Sequence, residues 1–152
     1  MTVRLSGSVR IDRPIETVFA YFDDPIEGLR GGPCSNFDIQ EITPLPNGGK
    51  RTRGTCRGTN GKAIPFVMEH VEYVRNERVV IRAAIGDDVP TIATRRFEPI
   101  DGGTRLVAEV EYSISRPIMG RIIETMWRRH SQLGLERLLA NLKSKIETRP
   151  VS

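Results

Sequence analysis

The chain is poor in the residues that metal and disulfide frameworks need. Its 152 residues include two cysteines, Cys34 and Cys56, and two histidines, His70 and His130. There is no CxxC pair and the histidines lie far from the cysteines and from each other, so no zinc framework or other metal site is expected. Nor is this the cysteine density of a small secreted domain, and both thiols read as reduced. Aromatic residues are only 6% of the chain, too few for the stacking platforms of nucleic-acid binders. No apolar run approaches the roughly 18 residues of a membrane span, and the opening MTVRLSGSVRID lacks the apolar segment of an export signal. The expectation is a cytoplasmic protein without a membrane span. Motifs of catalysis are missing too: no GxSxG, no Cys-His signature, no paired carboxylates at a fixed offset and no phosphate loop. Nothing specifies a cofactor.

What is present is globular. Hydrophobic residues make up 38% and charged residues 28%, with a mean hydropathy of -0.31. That is too apolar for a disordered chain and of the length of one domain, residues 1–152. The net charge of +4 is uneven: the residues from Pro117 onward hold seven basic and three acidic side chains, while the first 116 are balanced. A pI of about 9.4 invites nucleic acid, but the basic excess reads as one solvated helix face, and no specific nucleic-acid partner is expected.

Periodicity gives the order of elements. Val3, Leu5, Gly7, Val9 and Ile11 alternate with mostly polar residues, as in a strand with one buried face. Asp12 offers a helix N-cap and Pro14 a first-turn proline. Ile15, Val18, Phe19 and Phe22 then follow at the spacing of an amphipathic helix. The glycines and prolines of DDPIEGLRGGPCSN leave room for at most one short helical turn around Ile26 to Leu29. From Asn36 to Ser115, five turn signals recur at intervals of about 11 to 15 residues: Asn47-Gly48, Asn60-Gly61, Arg75-Asn76, Gly86-Asp87-Asp88 and Asp101-Gly102-Gly103. They separate six strands, and connections this short demand antiparallel neighbours. Pro117 to roughly Lys145 reads as one long helix. Met119, Ile122, Ile123, Met126, His130 and Leu133 share a stripe in its first half, but Leu135, Leu138, Leu139, Leu142 and Ile146 have drifted round the wheel. Gly134 between them suggests a bend or a close backbone approach.

The segments SVRIDRPIETVFAYFDDP, TRRFEPIDGGTRLVAEVEY and ERLLANLKSKIE resemble the START-like, helix-grip superfamily that includes polyketide cyclases/dehydrases and lipid-transfer proteins. The resemblance runs nearly end to end. It implies an α+β fold: a seven-stranded curved antiparallel sheet wrapped around a long C-terminal helix, with one or two short helices after the first strand. It also implies an internal cavity for an apolar ligand, with Asp24 to Asn36 as its gate. Many relatives carry tryptophan near that gate, whereas the sole tryptophan here is Trp127.

Strand parity proposes the lining. A two-residue turn at Arg75-Asn76 sets Glu69 opposite Arg82, Met68 opposite Ala83 and His70 opposite Ile81, pointing Ile64, Phe66, Met68, Val79, Ile81 and Ile85 inward. A tight turn at Asp101-Gly102 sets Phe97 opposite Leu106, Arg95 opposite Ala108, Ala93 opposite Val110 and Thr91 opposite Tyr112. Arg95 is then inside, although a slip of one residue would bring Arg96 inward instead. For RTRGTCRG, an ideal Asn60-Gly61 turn would set Arg57 against inward Ile64. Burial costs favour a bulge or longer loop that leaves Arg51, Arg53 and Arg57 in water and Cys56 inside.

Phe66, Met68, His70, Arg95, Tyr112, Met126 and His130 are therefore the candidate ligand-binding residues. His70 and His130 are the candidates for acid-base chemistry, because imidazole titrates near neutral pH. The polar members either hydrogen-bond within the core or orient a ligand's carbonyl or hydroxyl. The leading expectation is a carrier or sensor of a lipid-like or polyketide-like ligand. The alternatives are a cyclase or dehydratase acting on a poly-carbonyl chain, largely by orienting it, and an interaction module using the basic final helix. Oligomeric state, including a homodimer, stays open.

Overall fold

A computed structural model of the chain describes residues 2–23, 35–58, 61–86, 90–113 and 121–148, with backbone alone at 35, 113 and 121–131. The elements are β1 (Thr2–Ile11), α1 (Ile15–Asp23), β2 (Ser35–Pro44), β3 (Lys50–Arg57), β4 (Ala63–Val74), β5 (Arg78–Ile85), β6 (Thr91–Ile100), β7 (Gly103–Ser113) and α2 (Arg121–Thr148). The sheet runs in the order β1-β7-β6-β5-β4-β3-β2, and every neighbouring pair is antiparallel. β2 to β7 thus form the expected meander, and β1 closes it by pairing with β7. The expected helical turn at Ile26 to Leu29, most of the gate, and Pro117 at the start of the last helix lie outside the described residues.

Local chemistry explains the ends of α1, with one correction. The Pro14 carbonyl accepts the first helical bonds, from the Thr17 and Val18 amides, both at 3.1 Å. Asp12 is not the cap, because its carboxylate instead accepts Arg10 Nε at 2.9 Å. Val18, Phe19, Tyr21 and Phe22 are buried, and Phe19 and Phe22 meet Phe97 of β6 edge to face at 5.1 and 5.7 Å.

The registers follow burial more closely than turn ideals. Phe97 pairs with Leu106, Arg95 with Ala108 and Ala93 with Val110, so the inward row is as parity requires. Arg96 faces outward and bears no burial cost, pairing with Glu109 at 2.5 Å. In β3, Cys56 is buried while Arg51, Arg53 and Arg57 are exposed. The β3–β4 connection is longer than two residues, with Arg57 opposite Ala63 and Cys56 opposite Ile64.

The second half of α2 buries Leu135, Leu139, Leu142 and Ile146, each worth about 1.5–3 kcal/mol of apolar transfer. It sits close to β1, where a Cβ on Gly7 would lie 2.9 Å from Leu139 Cδ1. Gly134 makes no such approach among the described residues: it is exposed, and a Cβ there would meet none of their atoms within 4 Å. The helix continues through it. Leu133 is 47% exposed, so the apolar stripe of the second half begins after it.

Candidate functional site

Alternation places Phe66, Met68 and His70 of β4 on the inner face, and all three are buried. Two further strands along the sheet, Arg95 points to the same face between Val79 and Ala108 in register. Tyr112, opposite buried Val3, is half-buried on that face but three strands from His70 in the sheet order. The structure therefore brings Met68, His70 and Arg95 into one region and sets Tyr112 apart. The side chains of Met126 and His130 lie outside the described residues.

His70 is held by the β2–β3 connection. Its Nδ1 accepts the Lys50 backbone N–H at 2.8 Å, and its carbonyl accepts Asn47 Nδ2 at 2.9 Å. Asn47 Oδ1 in turn accepts the Gly49 amide at 2.8 Å. A backbone amide can only donate, so Nδ1 has no proton and the neutral ring carries its proton on Nε2. Burial pushes the His70 pKa below the ordinary imidazole value; the Lys50 and Arg95 cations push the same way, against Asp23. At neutral pH the ring is thus an uncharged, oriented N–H donor.

A bulge adds a neighbour that simple alternation hides. The β4–β5 register shifts between His70 and Glu72, leaving Val71 53% exposed and turning Tyr73 to the inside with His70. The two rings meet edge to face at 5.3 Å, and Tyr73 also meets Phe19 at 5.5 Å. The Tyr73 hydroxyl donates to Asp23 Oδ1 at 3.1 Å. Burial, and then this hydrogen bond, raise its pKa above the ordinary phenol value. Lys50 Nζ donates to the Asp23 carbonyl at the end of α1, at 3.2 Å, where a cation also suits the helix dipole.

Arg95 stands differently. Its guanidinium lies over the Phe22 ring, 5.0 Å from the centroid, and desolvation by burial pushes its pKa down to about 10. It stays charged at neutral pH. Thr52, opposite Met68 in register, is fully buried, and its hydroxyl has no partner among the described residues. Phe22, Tyr73, Asp23, Lys50 and Thr52 were absent from the sequence-based site. Only Phe22 carried a signal, as the last apolar position of the first helix.

Two surface hollows lie away from this group. One, of about 410 Å³, is lined largely by Arg4, Ser6, Glu109 and Glu111 on the outer face of the sheet. The other lies by Pro14, Ile15, Pro99 and Ile100 at the β6–β7 turn. The polar chemistry gathered on the inner face makes that face the stronger candidate. Among the described residues, no group of three His, Cys, Asp or Glu side chains could hold a metal, and no helix is long and apolar enough to cross a membrane.

The sequence profile described as "Polyketide cyclase / dehydrase and lipid transport" matches residues 2–147. No curated protein matches the chain. Among solved structures, a Thermus thermophilus protein is 23% identical with a TM-score of 0.65, over 95% of this chain and 97% of that one. A Chromobacterium violaceum protein is 19% identical with a TM-score of 0.68, over 97% and 98%. The di-domain ARO/CYC protein BexL of the BE-7585A biosynthetic pathway is 19% identical with a TM-score of 0.67, over 98% of this chain and 51% of BexL. At these identities the likeness is one of fold.

Proposed function

The chain belongs to the polyketide cyclase/dehydrase and lipid-transport family, and from that premise we propose that it binds a small hydrophobic ligand on the inner face of the sheet, as a carrier or sensor. Met68, Phe66 and the α1 aromatics supply apolar contact, and His70 and Arg95 supply the few polar groups that orient a ligand.

The observation that favours a carrier over a cyclase working by acid-base chemistry at His70 is the bond from the Lys50 amide to His70 Nδ1. A general base must offer a lone pair to the substrate. Here the only lone pair of the ring is already held by a backbone amide, and the other ring nitrogen carries the proton. Making imidazolium would set N–H against N–H. His70 is suited to donate a fixed hydrogen bond and poorly suited to take a proton and return it.

Two measurements test the reading. Native mass spectrometry of the freshly purified protein should show a co-purifying small molecule, and titration with the neutral dye N-phenyl-1-naphthylamine should give saturable fluorescence at one dye per chain. Absence of a bound molecule together with no dye uptake would overturn it.

A further inference from the structure

Several arginines on the outer face of the sheet have carboxylate partners. Arg4, Arg53, Arg78 and Arg96 each have a carboxylate within 4 Å, on Glu111, Glu41, Glu72 and Glu109. All four are well solvated, so these pairs are weak and their partners are dispensable. Arg95 differs from these. It is turned to the inner face, between Val79 and Ala108 in register, and half-buried there, yet no described carboxylate pairs with it. Two described acidic side chains on neighbouring elements are engaged elsewhere: Glu109 faces out with Arg96, and Asp23 serves Tyr73 and Lys50.

Taking an ion even partly out of water costs free energy unless a partner compensates. Phe22 offsets part of that for Arg95 by offering the face of its ring. A ring face cannot satisfy the guanidinium N–H groups, which lie in the plane of the group and point past its edge. His70 is no counter-ion either, being a neutral donor. The inner face around Arg95 therefore holds a positive charge, two kinds of N–H donor and no described anion free to pair with it.

We propose that the hydrophobic ligand carries a single carboxylate, which ion-pairs with Arg95. The inference rests on the ligand-binding reading above and adds the ligand's charge. A carboxylate fits better than a doubly charged phosphate because, among the described residues of this region, Arg95 is the cation left unengaged, Lys50 being held by Asp23. The planar guanidinium matches two carboxylate oxygens, and in a half-buried setting such a charge-assisted pair is stronger than a neutral hydrogen bond. The rest of the molecule would lie along the apolar residues of β4 and β5.

The test uses matched pairs at neutral pH and displacement of N-phenyl-1-naphthylamine: dodecanoate against dodecanol, and naphthaleneacetate against its methyl ester. In at least one pair the acid should bind about tenfold or more tightly than its neutral partner, as a charge-assisted bond predicts. Arg95→Met should abolish the preference for the acid, weakening the acid at least about fivefold more than its neutral partner. Equal binding of acid and neutral partner in both pairs, with the dye bound, overturns the carboxylate and leaves the ligand-binding reading standing. Equal weakening of acid and neutral compounds by Arg95→Met also overturns it. Failure of the dye and all four compounds to bind overturns both readings. Should Arg95→Met not fold, the wild-type preference for the acid decides by itself.

Discussion

A Cβ on Gly49 would lie 2.4 Å from the His70 Cβ and 2.9 Å from its Nδ1, so the β2–β3 connection can close on the imidazole only because residue 49 has no side chain. The obstacle is the root of the His70 side chain, which cannot swing away as the tip of a long chain could. Gly49→Ala should therefore destabilise the fold by about 1–3 kcal/mol, the usual cost of overpacking. Urea unfolding at neutral pH measures it, and a change within about 0.5 kcal/mol would show that the connection yields.

Stability should also fall on mild acidification. Folding lowers the His70 pKa, so between its folded value and about 6.5 the unfolded chain takes up a proton that the folded chain declines. The stability present above about pH 6.5 is then lost as the pH falls through that window and levels off below the folded pKa. Most carboxylates titrate lower. Urea midpoints from about pH 7.5 to pH 5 should show the decline, and it should shrink in His70→Gln.

How much of this was legible in the sequence depends on what kind of signal carried it. The meander was legible because Asn-Gly and Asp-Gly turns punctuate it, and Arg95 was legible because the Asp101-Gly102 turn fixes its register against Ala108. The pairing of His70 with Ile81 was also anticipated, but through two errors that cancel. The β4–β5 loop holds three residues, with Asn76 at φ 62, and the bulge at Val71 restores the register. That same bulge hid Tyr73, because strict alternation sends residue 73 outward.

Other misses come from tertiary context. Asp12 has the chemistry of a cap, but Arg10 takes its carboxylate. Gly134 has the sequence signature of a close approach, yet no described residue comes within 4 Å of its Cβ position. Lys50 and Asp23 lie 27 residues apart and meet only because α1 ends beside the β2–β3 connection. No local pattern could announce that pair.

Gly134 yields a prediction of the opposite sign to Gly49. It sits within a continuous helix, exposed and without a described neighbour at its Cβ position. Gly134→Ala should stabilise the protein by about 0.5–1 kcal/mol, through helix propensity and a less flexible unfolded chain. A loss of stability would mean that something outside the described residues packs there.

Arg95→Met should raise stability even as it weakens acid binding. Methionine roughly keeps the volume and the contact with Phe22, and it removes an ion with no described counter-ion. Arg95 is half-buried, and replacing such a charge by an apolar side chain of similar size is often favourable, so a gain of up to about 1 kcal/mol is expected in urea unfolding of the ligand-free protein. A loss of more than about 1 kcal/mol would indicate a partner for Arg95 already within the fold.

The last prediction separates the two things His70 does. Its Nδ1 satisfies the Lys50 amide, and its Nε2–H offers a donor to the inner face. Glutamine can accept with its oxygen and donate with its nitrogen, so His70→Gln should keep the fold and keep dye binding within about threefold. Leucine fills much of the same space but accepts nothing. His70→Leu should leave the Lys50 amide unpaired beneath the loop and cost about 1–3 kcal/mol. If His70 were an acid-base group, glutamine would fail as completely as leucine in any function test, because neither titrates. Full function of the glutamine variant alongside a destabilised leucine variant is the outcome expected of a structural acceptor and ligand donor. The reverse order, with leucine tolerated and glutamine not, would show that Nδ1 is not what holds the loop.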